Sequence, residues 1–253
     1  MRLLGLDEET TGLLTSEDRV VELGICLWEV EQKRPIVTVG MFLKDDDIMA
    51  RARRPDVQEM MKRITGITPE MLEEFGTDAK KNLEWLVEFA LKHKIDYIVA
   101  HNGENFDKPM LFAELDRHGI LAPEFRAIPW IDTKSDIPFV TEPDSRRLNH
   151  LAADHGFINP FAHRAIFDVL TMLRILANYD IAKVIEYQKI PFHTMRAVVS
   201  FDDKQLAKDL RYSWEKIGTQ TYPKMWVKKV KQNLVEKEIE DAKKKGFVAV
   251  VID

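Results

Sequence analysis

Two carboxylates at the end of the first apolar run constrain this chain more than any other feature. Residues 2–7 read as a short strand that runs into Leu6-Asp7-Glu8-Glu9-Thr10-Thr11-Gly12. Alternate side chains of a strand share a face, so Asp7 and Glu9 point together and Glu8 points the other way. Like charges held side by side repel, and a bound cation is the usual relief. Thr10-Thr11-Gly12 then turns the chain and leaves backbone N–H groups beside the acids. Alone, an acid pair beside a turn is common and reads better as a solvated strand end.

Two later segments supply further polar groups. Asp107 stands where a helix should begin, after an apolar run, His101-Asn102-Gly103 and Phe106. By itself it reads as a helix N-cap or first-turn acid. His163 and Asp168 are five residues apart, about 140° around a helix, so they would not share a helical face. Asn159-Pro160 breaks structure just before them, which places His163 in a lead-in loop and Asp168 on the first turns of a helix.

The coarse organisation is mixed α/β. Segments 20–30 and 36–43 are β-branched and aromatic enough for two more strands, separated by a polar turn, and three strands in succession suggest an antiparallel meander. Leu83, Leu86, Val87, Ala90 and Leu91 lie at helical spacing in 79–92. Segment 95–100 reads as a buried strand, 108–117 as a helix with Pro109 in its first turn, 130–133 as a strand end, and 148–155 and 165–177 as helices. Alternating strands and helices imply a layered α/β fold. From Asp203 onward the order is helix, strand or turn, strand, helix, strand, with Trp214 and Trp226 bracketing a turn that contains Gly218 and Pro223.

Composition limits what such a chain can be. A length of 253 residues, 45% hydrophobic and 31% charged, argues against disorder and allows one domain with an appendage. The net charge is −5, so positive potential must be local. Residues 200–253 hold 12 Lys/Arg against 9 Asp/Glu, whereas 1–199 hold 25 against 33. The division read from this shift is a domain at 1–180, a connector at 181–199 and a small basic module at 200–253. Cys26, the single cysteine, sits in an apolar stretch and reads as a buried hydrophobe. No run approaches membrane-spanning length and no apolar signal core opens the chain. The expected setting is a reducing cytoplasm, bacterial or that of a phage host, with no membrane partner.

Taken together, Asp7-x-Glu9, His101-Asn102 with Phe106-Asp107, and His163-x-Ala165-x-x-Asp168 resemble, in order and context, the DnaQ-like (DEDDh) exonuclease superfamily. That superfamily includes polymerase proofreading subunits, RNase T, oligoribonuclease and exonuclease X. Val20-Val21-Glu22-Leu23-Gly24, segment 64–72, Ile131-Asp132-Thr133 and segment 148–152 look like the family too. The resemblance covers about residues 1–180. It implies an RNase H-like mixed sheet flanked by helices, and a metal-dependent 3′→5′ exonuclease that releases nucleoside 5′-monophosphates. Asp7, Glu9, Asp107 and Asp168 would hold two Mg²⁺ or Mn²⁺ ions, with Asp7 bridging. Hard cations take oxygen ligands, which suits carboxylates rather than cysteines.

By the same resemblance His163 would take a proton from the attacking water, and an imidazole ordinarily titrates at about 6.5, near working pH. Thr10, Thr11, Gly12 and Asn102 would hold the terminal nucleotide, and Leu13 and Phe106 would wedge or stack against bases. Core packing is an equal reading for Phe106. The expected partner is nucleic acid, DNA ahead of RNA, preferably single-stranded or frayed. A homo-oligomer or replication and repair proteins are compatible. An exoribonuclease and a non-catalytic polymerase accessory protein are the competing functions, although degenerate relatives usually lose one of the five residues. In the Lys-rich C-terminal module the tryptophans read as the core of a small helix–sheet unit, whereas the lysines, interleaved with aromatics, suit single-strand contact, with a solvated face as their alternative.

Overall fold

The computed structural model describes residues 1–215 and 224–253, which form two compact units, Met1–Tyr187 and Gln188–Asp253. Among the described residues no helix is long and apolar enough to cross a membrane. The turn expected around Gly218 and Pro223 lies outside the described residues.

The first unit is built on six strands: β1 Arg2–Thr10, β2 Val20–Glu29, β3 Arg34–Lys44, β4 Thr77–Asp78, β5 Tyr97–Ala100 and β6 Trp130–Asp132, in the order β4-β3-β2-β1-β5-β6. β1, β2 and β3 form the antiparallel meander, while β5 and β6 run parallel to β1. The helices are α1 Asp46–Ala52, α2 Pro55–Ile64, α3 Pro69–Phe75, α4 Ala79–Lys92, α5 Asp107–Arg117, α6 Pro123–Arg126, α7 Leu148–Asp154, α8 Ala165–Leu176 and α9 Ile181–Gln188.

The two-residue period of β1 sorts its side chains between two cores. Leu4 and Leu6 pack with Leu83 and Leu86 of α4 and Leu111 and Leu115 of α5, whereas Leu3 packs with Val169, Met172 and Leu173 of α8. Burial of this order supplies most of the folding free energy, about 25 cal/mol per Å² of apolar surface. α8 lies close to the sheet because two glycines make room. A Cβ on Gly24 would stand 2.4 Å from the Ala165 carbonyl carbon, and one on Gly5 would stand 2.7 Å from Leu173 Cδ1. The face of β1 that carries Asp7 and Glu9 is therefore the face covered by α8.

Residues 46–75 carry no long periodic signal in the sequence, and they form three helices too short to leave one. Their ends are set locally. Asp45 Oδ1 accepts from the Ile48 amide at 2.6 Å, Thr68 Oγ1 accepts from the Met71 amide at 3.4 Å, and Pro55 and Pro69 occupy first-turn positions.

The stretch 181–199, expected as a connector, is regular structure. It holds α9 and the strand β7 Phe192–Val198, and the division between units falls at Tyr187/Gln188. β7 buries Met195 and Ala197 while Arg196 and Val198 face outward, an alternation with a period of two. With α10 Lys204–Asp209, β8 Ser213–Glu215, β9 Met225–Lys231, α11 Val235–Lys245 and β10 Val248–Val251 it completes the second unit. Its antiparallel sheet has the order β10-β7-β9-β8, over a core of Met195, Ala197, Ala207, Tyr212, Val230, Ala242, Phe247 and Ala249.

Candidate active site

The strand period, the start of α5 and the first turn of α8 bring the acids together. Asp7 and Glu9 oppose Gly24 and Glu22 on β2, so a glycine and another acid are their immediate neighbours across the ladder. Asp107 opens α5 and is 1% exposed; Glu9 and Asp168 are 9% and 8% exposed. Ligand atoms of Glu9, His163 and Asp168 all lie within 4.8 Å of one another.

Burial first, and mutual repulsion second, mark the cluster electrostatically. Burial pushes the Asp7 carboxyl well above its ordinary range, and the charges of Asp107, Asp168, Glu9 and Glu8 push it further. Glu9 is raised to about 8, by burial and then by Asp168, Glu22 and Asp107, against a lowering effect of Arg164. Asp107 is raised to about 7, mainly by burial and also by Asp132 and Asp168, with the Asp107 and Glu8 amides opposing. Asp168 is raised by burial, partly offset by the His163 amide and imidazole and by Asn159.

His163 sits in the loop ahead of α8, as its sequence context suggests, with an exposed side chain and a left-handed backbone at φ 61°. Residues other than Gly rarely adopt that conformation, and the loop is held there by Asp168. The His163 amide donates to Asp168 Oδ2 at 3.0 Å, and Asn159 Nδ2 donates to Asp168 Oδ1. Glu22 fastens the same segment to β2: Arg164 pairs with it at 3.0 Å, and the Ala165 amide donates to it at 3.3 Å.

The turn after β1 is pinned by an acid that no sequence motif singles out. Thr11 Oγ1 donates to Asp18 Oδ1 at 3.1 Å and the Leu14 amide donates to Asp18 Oδ2 at 2.9 Å. Thr10 Oγ1 donates to the Gly12 carbonyl at 2.6 Å, and a Cβ on Gly12 would stand 2.4 Å from Asp18 Oδ2. Burial opposes ionisation of Asp18, but the Leu14 amide, Arg51 and Thr11 outweigh it and hold the carboxyl below its usual range. Nothing local distinguishes Asp18 from an ordinary loop acid; only the folded loop does. Leu13 leaves 78% of its surface exposed at this turn.

Asn102 also has a left-handed backbone, at φ 71°; its amide donates to Asp132 Oδ1 at 2.8 Å and its Oδ1 accepts from Lys134 Nζ at 3.0 Å. Phe106 is half-buried against the cluster containing Met110 and Val20, so much of its ring serves packing. The neighbouring His101 is structural. Burial holds it down at about 4, and its ring nitrogens lie 2.9 Å from Thr133 Oγ1 and 3.0 Å from the Arg146 carbonyl. Glu8 faces away from Asp7 and Glu9. It is buried at 3% exposure, and neither carboxyl oxygen has a hydrogen-bond partner.

The donor set fits a hard divalent cation. Oxygen ligands predominate, several are buried with raised pKa values, and Asp107 Oδ1 is a buried acceptor with no hydrogen-bond partner. A cation would offset the burial and the smaller mutual repulsion that raise these carboxyls.

The sequence model of the RNase T exonuclease family matches residues 4–176. DNA polymerase III subunit epsilon of Treponema pallidum is 30% identical over 175 residues, spanning 68% of this chain and 73% of that protein. PolC-type DNA polymerase III of Mycoplasma pneumoniae is 31% identical over 176 residues, spanning 67% of this chain but 11% of that protein. Among solved structures, an E. coli ExoI–ssDNA complex superposes with a TM-score of 0.64 at 14% identity, over 97% of this chain and 68% of that one. The nuclease domain of 3′hExo, a DEDDh family member bound to rAMP, gives 0.55 at 16%, over 70% and 90%. At such identities the structural likenesses speak for the fold.

Proposed function

The chain belongs to the RNase T exonuclease family, and from that premise we propose that this site removes nucleotides from the 3′ ends of nucleic acid, with DNA as the main substrate. The family and its relatives support a 3′→5′ exonuclease acting on DNA or RNA ends. The observation that carries the assignment of roles is the juxtaposition of Glu9, His163 and Asp168 within 4.8 Å, beside the mutually repelling Asp7 and Asp107.

Asp7, Glu9, Asp107 and Asp168 would hold two divalent ions, Mg²⁺ or Mn²⁺. Such ions, when bound, neutralise charge on the phosphate oxygens and help both the attacking and the departing oxygen. The chain does the rest. The exposed His163 imidazole accepts the proton of the attacking water and releases it to solvent. Asp168 also serves the base, because by accepting from the His163 amide it fixes the loop that carries the imidazole. Thr10, Thr11 and Gly12, pinned on Asp18, offer backbone groups to the terminal nucleotide, and Leu13 stands ready to wedge against a base. Asn102, tied to Asp132 and Lys134, lines the other approach.

The names of the curated relatives, both DNA polymerase III components, favour DNA and a replication or repair setting. The fold neighbour bound to rAMP supports the RNA-end alternative. A time course on 3′- and 5′-labelled oligonucleotides, DNA and RNA, single- and double-stranded, with and without Mg²⁺, decides between them. Mononucleotide release from the 3′ end, dependent on Mg²⁺ and faster on single-stranded DNA, is the expected result. Release from the 5′ end, or turnover indifferent to chelation, would sink the proposal.

A further inference from the structure

The second unit carries a surface that the chemistry above does not use. Phe201, just ahead of α10, leaves 79% of its surface exposed, and Trp214, on the edge strand β8, leaves 51%. Neither belongs to the core of this unit. The rings and two lysines nonetheless form a connected line. Lys204 Nζ lies 3.7 Å from the centroid of Phe201, and Lys208, one helical turn further, lies 5.8 Å from that of Trp226. Trp226 faces Trp214 across the β8–β9 ladder with ring centroids 5.3 Å apart and a tilt of 52°.

Charge points the same way. Lys228, Lys244 and Lys245 are paired with Glu238, Asp241 and Asp209, but among the described residues Lys204 and Lys208 have no carboxylate partner. Residues 188–253 hold 14 Lys/Arg against nine Asp/Glu, whereas residues 1–187 hold 23 against 33. The unit that exposes these rings is the one with a net positive charge.

We propose that the line Phe201, Lys204, Lys208, Trp226 and Trp214 is a binding site for single-stranded nucleic acid, read without regard to base sequence. Exposed ring faces accept any base, and ammonium groups set between rings neutralise the phosphates that link stacked bases. A duplex hides its base faces in its own stack, so a single strand is the occupant that uses every part of the surface. A protein partner fits less well, because the centres of protein interfaces are depleted of lysine. The role of the bound strand as substrate rests on the exonuclease reading, but its binding does not.

The test uses the full-length protein in EDTA, so that nothing is cleaved, and the anisotropy of a labelled long oligothymidylate. Phe201→Ala and Trp214→Ala should each weaken binding about five- to tenfold, as loss of one stacked base does, with Trp214→Phe restoring most of it. Lys204→Gln with Lys208→Gln should flatten the dependence of log Kd on log salt by about 0.7 for each phosphate no longer neutralised. Hydrolysis of a dinucleotide in Mg²⁺ should be unchanged in every variant. Affinities within about twofold of the parent, with the same salt slope, would overturn the site; so would equal losses on a blunt duplex. Absence of dinucleotide hydrolysis in the parent would instead count against the exonuclease reading and leave the binding result standing.

Discussion

On the proposed reading Asp168 would have two roles: its carboxylate would help hold the cations, and it accepts from the amide of His163, whose backbone is left-handed. His163→Ala should lower kcat by about 10²- to 10⁴-fold, the usual worth of a general base, while calorimetric Mg²⁺ binding persists. Near-normal turnover would remove His163 from the mechanism. Asp168→Ala should lose cation binding and also free the loop, a double loss visible as altered protection of residues 159–164 in hydrogen exchange. Adjacent acids of β1 provide a control. Glu8 is buried on the opposite face with no hydrogen-bond partner, so Glu8→Gln should spare turnover, whereas Asp7→Ala should abolish both turnover and cation binding.

At the scale of elements, the site depends on how closely α8 approaches the sheet. Gly24 is the point of closest approach, since an added Cβ would meet the backbone of Ala165 and Ile166 at 2.4 and 2.5 Å, and backbone cannot swing aside as a side chain can. Gly24→Ala should therefore cost about 1–3 kcal/mol of stability, the usual penalty of overpacking. It should also displace Asp168 from Glu9, so activity falls further than the stability loss explains. Equilibrium denaturation and kcat/KM measured at a temperature where the variant is folded separate the two effects. Unchanged values for both would show that the helix has room to spare.

For the molecule as a whole, the buried and mutually repelling acids should make the metal-free protein sensitive to pH. Glu9 and Asp107 have folded-state pKa values of about 8 and about 7, above the ordinary carboxylate range. The unfolded chain therefore holds fewer protons than the folded one between the ordinary and raised values. Their contribution to stability is complete below about pH 4 and is lost as pH rises through about 7 to 8. In EDTA the unfolding temperature should fall across that window, and Mg²⁺ should reverse the fall by binding only the folded, ionised cluster. A metal-free unfolding temperature that stays flat between pH 5 and 8 would show that neither burial nor repulsion raises these carboxyls.

What the sequence determined by itself was local and periodic. The alternation in β1, the helical spacing from Ala79 to Lys92 and the turn signals around the later helices each record which face of a segment is buried, and they need only neighbouring residues to be read. The five candidate site residues were legible for a different reason, since their spaced pattern resembles a known family. Only the tertiary structure decided what those faces are buried against. Asp18 under the Thr11 turn, Glu22 tying Arg164 and Ala165 to β2, the two glycines that admit α8 and the joining of β7 to β9 are pairings between residues that local sequence does not connect. Such pairings leave no local period. A solvated loop acid and an acid that pins a neighbouring turn look alike until the chain brings their partners to them.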